Sequence, residues 1–216
     1  MNLKKDEVTQ IEEAVVVLKQ NGVIIYPTDT VYGIGVLPNK ESINRLYKIK
    51  KRDKSKRLIA LISNPEIIYK IVDLTNELQV NVYKFKKIIA KYWPGDLTIV
   101  VKAREEILEI IEKSLGKIED GTIGVRIPND PIALKIIEKA GGVVLTTSAN
   151  FSGEEPVKEY EDLNKDLANQ VDYVVHASRN GKGVPSTIIK ILNGEITVIR
   201  KGNIGLDEII EGIGSE

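Results

Sequence analysis

Apolar residues recur along this chain with two periods, and the switches between them mark out its elements. Ile11, Ala14, Val15 and Leu18 stand at helical spacing and stop before Asn21-Gly22, so the first element expected is an amphipathic helix. Val23 to Tyr26, β-branched and aromatic between Gly22 and Pro27, predicts a buried strand running into a turn. Asn39 predicts the N-cap of a second helix with Ile43, Leu46 and Tyr47 on one face, and Leu58 to Ile62 a further strand. Asn64-Pro65 reads as an N-cap and first turn, and Thr75 as the cap of a longer helix that buries Leu78, Val82, Phe85 and Ile89 and stops at Trp93-Pro94-Gly95.

Beyond it, Leu97 to Val101, Thr122 to Ile127 and Val143 to Thr147 predict strands. Glu105 to Ser114 and the segment capped by Asp130-Pro131 predict helices, the second closed by Gly141-Gly142. Ser186 to Ile191 and Glu195 to Arg200 flank Asn193-Gly194 as a hairpin, and a short helix follows from Leu206. Strands and helices mix throughout, with no internal repeat and no low-complexity linker. The expectation is one α/β (α+β) domain with a mixed sheet over residues 1–216.

Composition narrows the function classes. The 216 residues are 42% hydrophobic, enough for a full core, and 31 basic residues balance 31 acidic ones, so the chain as a whole is no polyanion magnet. The charge is unevenly placed: Lys48, Lys50, Lys51, Arg52, Lys54, Lys56 and Arg57 stand against Asp53 alone, a local +6. The absence of cysteine excludes disulfides, thiolate nucleophiles and Cys-ligated zinc, which fits a cytoplasmic protein. The polar N-terminus resembles no signal core, and no run approaches the ~18 apolar residues of a membrane span. No membrane partner is expected.

Tyr26-Pro27-Thr28-Asp29-Thr30-Val31-Tyr32-Gly33-Ile34-Gly35 places hydroxyls and glycines directly after a buried strand, where glycine permits positive φ or close approach of the backbone to a ligand. Gly33-Ile34-Gly35 is no dinucleotide fingerprint, because Pro38 stands where the third glycine is needed. Gly116-Lys117-Ile118 and Gly181-Lys182-Gly183 lack the Ser or Thr of a phosphate-binding loop. The basic cluster reads either as a solvated helix end or, with Lys50 and Arg52 on the same side of an extended segment, as a phosphate clamp. Thr146-Thr147-Ser148-Ala149-Asn150-Phe151-Ser152-Gly153 repeats the strand-into-hydroxyls arrangement, and reads as a turn or as a partner loop. Arg126, inside Gly124-Val125-Arg126-Ile127-Pro128, needs an anion, either a carboxylate of the protein or a ligand. Asp29 fixes its loop or acts chemically; the single histidine, His176, and Trp93 read as structural. No clustered carboxylates have metal-ligand spacing.

Taken together, the motifs resemble the YrdC-like threonylcarbamoyl-AMP synthases over nearly the whole chain. The resemblance rests on the Tyr26 to Gly35 stretch, Lys50-Lys51-Arg52, Trp93-Pro94-Gly95-Asp96-Leu97-Thr98, Val125-Arg126-Ile127-Pro128, Ser148-Ala149-Asn150, Pro185-Ser186-Thr187-Ile188 and Arg200, all in the family's order. Each motif is weak alone; seven in register are not. The resemblance implies a twisted mixed sheet flanked by helices around a basic concave cavity, in the single-domain form. It implies synthesis of threonylcarbamoyl-AMP from L-threonine, bicarbonate or CO2 and ATP with release of pyrophosphate, the first step of tRNA t6A modification.

The residues follow by resemblance. Lys50 and Arg52 are the expected catalytic cations; Thr30, Arg126, Thr146 and Ser186 the threonine site; Lys50, Arg52, Lys56, Thr122, Ser148, Asn150 and Arg200 the ATP site. Lys56 takes the place of an asparagine and is carried over as a nucleotide ligand; Arg57 takes the place of a proline and is not. Leu61 stands where several relatives have a histidine. Mg2+ is expected through the ATP phosphates and not through protein side chains. The expected partners are the downstream tRNA threonylcarbamoyl-transferase machinery and, weakly, tRNA or other RNA. The alternative reading is a non-catalytic RNA-binding module, and a carbamoyl-transfer domain of hydrogenase maturation is opposed by the absence of its zinc-finger cysteines.

Overall fold

The computed structural model describes residues 3–74, 82–177 and 181–213. Its helices are α1 (Lys5–Lys19), α2 (Lys40–Ile49), α3 (Val82–Tyr92), α4 (Glu105–Leu115), α5 (Pro131–Lys139), α6 (Lys165–Ala168) and α7 (Leu206–Ile213), with short 3-10 segments at Pro65–Lys70 and Tyr160–Asp162. Its strands are β1 (Ile24–Tyr26), β2 (Gly33–Val36), β3 (Ile59–Ile62), β4 (Leu97–Lys102), β5 (Thr122–Arg126), β6 (Val143–Ser148), β7 (Tyr173–Val174), β8 (Thr187–Leu192) and β9 (Glu195–Arg200).

Capping follows the sequence. Asn39 accepts from the Ser42 amide, and Asp130, just before Pro131, accepts from the Ala133 amide, each satisfying an amide the helix itself leaves unpaired. Asn64 caps too, but what it opens is a 3-10 segment and not an α-helix. The expected Thr75 cap and Leu78 lie outside the described residues. In the β8–β9 hairpin Asn193 and Gly194 both hold positive φ, 52° and 80°, the twist that a two-residue turn between antiparallel strands requires.

The nine strands of the described residues form one mixed sheet in the order β7-β1-β2-β6-β3-β5-β4-β8-β9. The β1/β7, β3/β5 and β4/β8 pairs are parallel and the others antiparallel. Side chains alternate across it. Ile25, Ile34, Ala60, Ile62 and Leu145 pack with Ile43 and Leu46 of α2, Phe85 and Ile88 of α3 and Ile107 and Ile111 of α4. The alternate positions Ile24, Tyr26, Leu61 and Val144 pack with Ile11 and Leu18 of α1 and Ile132 and Ile136 of α5. The sheet is thus covered on both faces, as continuous apolar runs such as Val23 to Tyr26 require.

One strand departs from expectation. Gly33 to Val36 is β2, paired antiparallel with both β1 and β6, and not ligand-cradling loop. Neither glycine has positive φ. A Cβ on Gly35 would sit 2.8 Å from both the Tyr26 ring and Val144 Cγ1, and one on Gly33 2.9 Å from Thr146 Cγ2. The glycines leave room for side chains of the neighbouring strands to cross β2, and so bring Tyr26 to Thr146, whose oxygens lie 2.6 Å apart.

Candidate functional site

The sheet order sets the carboxyl ends of β1, β5 and β6 beside the first residue of β2, the segment entering β3, the start of β8 and the end of β9. Between them lies a cavity with about 780 Å3 of empty space including its open mouth. Hydroxyls of Thr28, Thr30, Thr146, Thr147, Ser148 and Ser186 line it, with Arg52, Arg57, Arg126 and Arg200; among the described residues none of the lining is acidic.

The loop after β1 is ordered by its own hydroxyl. Thr28 Oγ1 donates to the Val31 carbonyl at 2.6 Å and accepts from the Thr30 and Val31 amides at 3.3 Å, a side-chain turn of the kind Ser and Thr favour. Gly181 to Gly183 cross over it, with the Lys182 amide donating to Asp29 O and the Gly183 amide to Thr30 O. A Cβ on Gly181 would lie 2.3 Å from Thr30 O, so only glycine passes there.

Arg126, 3% exposed, finds the anion its burial demands inside the protein. It ion-pairs with Asp29 through Nη2, donates from Nη1 to Thr30 Oγ1 at 2.9 Å and from Nε to the Gly95 carbonyl at 2.8 Å. Asp29 is therefore neither a turn residue only nor a group facing the cavity: it fixes Arg126. Burial raises the Asp29 carboxyl above the usual range against the opposing pull of Arg126, with the neighbouring Asp96 carboxyl adding to the rise. In Asp96 burial is outweighed by hydrogen bonds from Lys182 at 2.6 Å and Asn203 at 3.1 Å, and its pKa is lowered.

The basic segment is not extended. Lys50 is helical at the end of α2, and Lys51 at φ 48° turns the chain, so Lys50 and Arg52 point differently. Arg52 lines the cavity with its guanidinium seated on its own turn, Nε donating to Lys56 O and Nη2 to Arg57 O, both at 2.9 Å. Lys50, 1% exposed, lies behind the wall and donates to the Ser148 carbonyl. Burial, reinforced by Arg52, pushes its ammonium down to about 7. Arg200 donates to Ser186 O at 2.8 Å and Ser186 Oγ at 3.1 Å, and Ser186 Oγ is 2.8 Å from Thr98 Oγ1. Among the described residues, neither Arg52 nor Arg200 has a carboxylate partner, so their charge is open to an anion.

Of the residues expected from sequence, Thr30, Arg126, Thr146, Ser186, Arg52, Ser148 and Arg200 come together in the cavity wall. Lys50, Lys56, Thr122 and Asn150 do not. Lys56 Nζ lies 3.3 Å from Ser152 Oγ on an exposed turn. Asn150 Nδ2 donates to the carbonyls of Phe151 and Glu154 and ties the turn after β6 together, while its buried Oδ1 has no donor among the described residues. Thr122 is covered by Arg57, the residue that sequence reasoning set aside, and the signal that could have found it was the basic residue at the entry to a buried strand. Leu61 lines the wall as packing. His176 stacks on Tyr160 at 4.1 Å, and Trp93, 8% exposed, donates from Nε1 to Leu97 O at 2.6 Å; neither lines the cavity.

The family model covering Sua5, YciO and YrdC proteins, described as "Telomere recombination", matches residues 16–202. A Methanocaldococcus jannaschii protein provisionally named threonylcarbamoyl-AMP synthase is 35% identical over 87% of this chain and 83% of its own length. The threonylcarbamoyl-AMP synthase of Bacillus subtilis is 30% identical over 95% of this chain but only 57% of its own length. Pyrococcus abyssi Sua5 in complex with L-threonine superposes with a TM-score of 0.83 at 26% identity, over 99% of this chain and 59% of that one. The chain thus spans little more than half of the two longer relatives.

Proposed function

The chain belongs to the Sua5/YciO/YrdC family, and we propose that it is a threonylcarbamoyl-AMP synthase, joining L-threonine, bicarbonate-derived CO2 and ATP into threonylcarbamoyl-AMP and pyrophosphate. The observation that carries the reading is the make-up of one cavity wall: Thr30, Thr146 and Ser186 present hydroxyls beside the fixed Arg126 guanidinium, and Arg52 and Arg200 present guanidinium groups that have no carboxylate partner among the described residues.

L-Threonine occupies the part lined by these hydroxyls. Arg126, its charge balanced by Asp29, keeps one further hydrogen on each of Nη1 and Nη2 to donate to the substrate carboxylate, and Thr30, Thr146 and Ser186 meet its polar groups. A site that hydrogen-bonds the substrate hydroxyl rejects valine strongly, since its own buried polar atoms would be left unpaired, whereas serine is rejected only through lost methyl packing. The neutral threonine amine captures CO2 as a carbamate and gives up one proton to solvent, and a carbamate oxygen attacks the α-phosphorus of ATP. The bond from that phosphorus to the bridging oxygen breaks, and pyrophosphate departs with the electron pair. Negative charge grows on phosphate oxygens in this step, and Arg52 and Arg200 are placed to stabilise it without reorganising. Lys50 does not reach the cavity and holds the Ser148 carbonyl from behind the wall, a positioning role.

The described residues contain no cluster of three His, Cys, Asp or Glu side chains able to hold a metal, and the wall offers no carboxylate, so the donor set does not fit a protein-held cation. Mg2+ would arrive on the triphosphate. The product would pass to the transferase that modifies tRNA. The test is pyrophosphate release from Mg-ATP, bicarbonate and each of L-threonine, L-serine and L-valine: release that requires L-threonine, falls with serine and is lost with valine is the expected order, and release independent of the amino acid would refute the reading.

A further inference from the structure

We propose that Arg57 is a nucleotide-contacting residue of this chain, binding the polyphosphate of ATP at the position where the Thr122 hydroxyl would otherwise meet it. The inference rests on the synthase reading for its ligand and on the wall geometry for its residue. Thr122, 1% exposed, is not part of the wall; Arg57 is. Arg57 Nη1 donates to Thr122 Oγ1 at 2.9 Å and to Asp120 Oδ1 at 2.8 Å, so the guanidinium lies over the hydroxyl and is anchored along one edge. A guanidinium carries five donors in a rigid fork. Both hydrogen bonds found for this one among the described residues use Nη1, and the side chain stays 40% exposed, which leaves Nε and Nη2 for a ligand.

A half-exposed Arg–Asp pair alone would be an ordinary surface contact worth little. Two features make this one different. Asp120 is shared: its other oxygen accepts from Lys190 Nζ at 2.9 Å, so one carboxylate serves two cations and the cluster keeps a net positive charge. The backbone of Arg57 also seats its neighbour, since Arg57 O accepts from Arg52 Nη2. Arg52 and Arg57 both line the wall, and the Arg57 carbonyl helps to seat Arg52. A polyphosphate that reaches from Arg52 to the Arg57 guanidinium meets two cations already oriented, and guanidinium forks suit it better than a lone hydroxyl.

The test compares Arg57→Ala, Arg57→Lys and Thr122→Val by calorimetric binding of Mg-ATP and by steady-state kinetics. Arg57→Ala is expected to weaken ATP binding and raise the KM for ATP about tenfold or more, the loss of one or two charge-assisted hydrogen bonds, with the KM for threonine within about twofold of wild type. Arg57→Lys should recover part of the loss, and Thr122→Val should cost less than Arg57→Ala. The melting curve of each variant shows whether it is folded. Unchanged ATP binding in folded Arg57→Ala and Arg57→Lys, or a larger loss in Thr122→Val than in Arg57→Ala, overturns the inference while leaving the synthase reading intact. A wild type that binds ATP but makes no threonine-dependent pyrophosphate refutes that reading alone, and one that binds no ATP refutes both.

Discussion

Arg126 shows how far a single side chain can be understood before its neighbours are known. A guanidinium inside a strand of Gly, Val and Ile demands an anion, and that much follows from its position. Which anion it finds depends on Asp29, 97 residues away in sequence, and no local periodicity reports such a pair. The same holds for Arg57: its place at the wall depends on β3 meeting β5 and on Asp120 lying across from it. Because Arg126 touches Thr30 whereas Arg52 donates to the carbonyls of Lys56 and Arg57, their loss should separate in kinetics. Arg126→Ala is expected to raise the KM for threonine at least tenfold, and Arg52→Ala to depress kcat by about a hundredfold. Equal effects on both constants in both variants would contradict this division.

Lys50 carries a pH signature of its own. Burial lowers its pKa to about 7 from 10.5, so between these values the unfolded chain holds a proton that the folded chain lacks. Stability then rises with pH across that window, and the full penalty of burying the charge is felt below it. Lys50→Met should therefore melt higher than wild type at pH 6, with the gap narrowing steadily towards pH 10. A gap independent of pH would show that Lys50 is not a buried cation in the folded protein.

At the level of elements, period-two and period-3.6 runs were readable because each strand of the core is apolar on the faces it buries, and the caps at Asn39 and Asp130 sit where side-chain chemistry puts them. β2 was not readable. Its Gly-Ile-Gly-Val composition resembles a ligand loop, since glycine is poor in strands, and its reason for being there is the crossing of Tyr26 and Val144 over positions that tolerate no Cβ. Gly35→Ala therefore drives a methyl into a filled space, and should cost about 1–3 kcal/mol in urea denaturation, as overpacked cores do. A neutral result would mean that the strands yield there at no expense, and that β2 does not set the spacing of the wall.

The whole molecule joins residues from opposite ends of the chain. Threonine-loop residues near position 30, Arg126 in the middle and Arg200 near the end share one wall because one mixed sheet brings β1, β5 and β9 to bear on the same cavity. A formal charge of zero coexists with four arginines among the described wall residues, of which Asp29 and Asp120 offset two. That local excess suits a small polyanion such as ATP better than a long nucleic acid, whose binding draws on a broad basic footprint. The order of the seven motifs was visible in the sequence; the meeting of Thr30, Arg52, Arg126 and Arg200 in one wall was not, because it is set by the strand order of the sheet.

In a threonylcarbamoyl-AMP synthase the carbon of bicarbonate becomes the link between threonine and AMP. Mass spectrometry of the nucleotide product formed from 13C-bicarbonate, L-threonine and Mg-ATP tests it directly. The expected result is an AMP adduct heavier by threonine and one labelled carbonyl, absent when any of the three substrates is omitted. An adenylate of threonine without the labelled carbon, or no adduct at all, would contradict it.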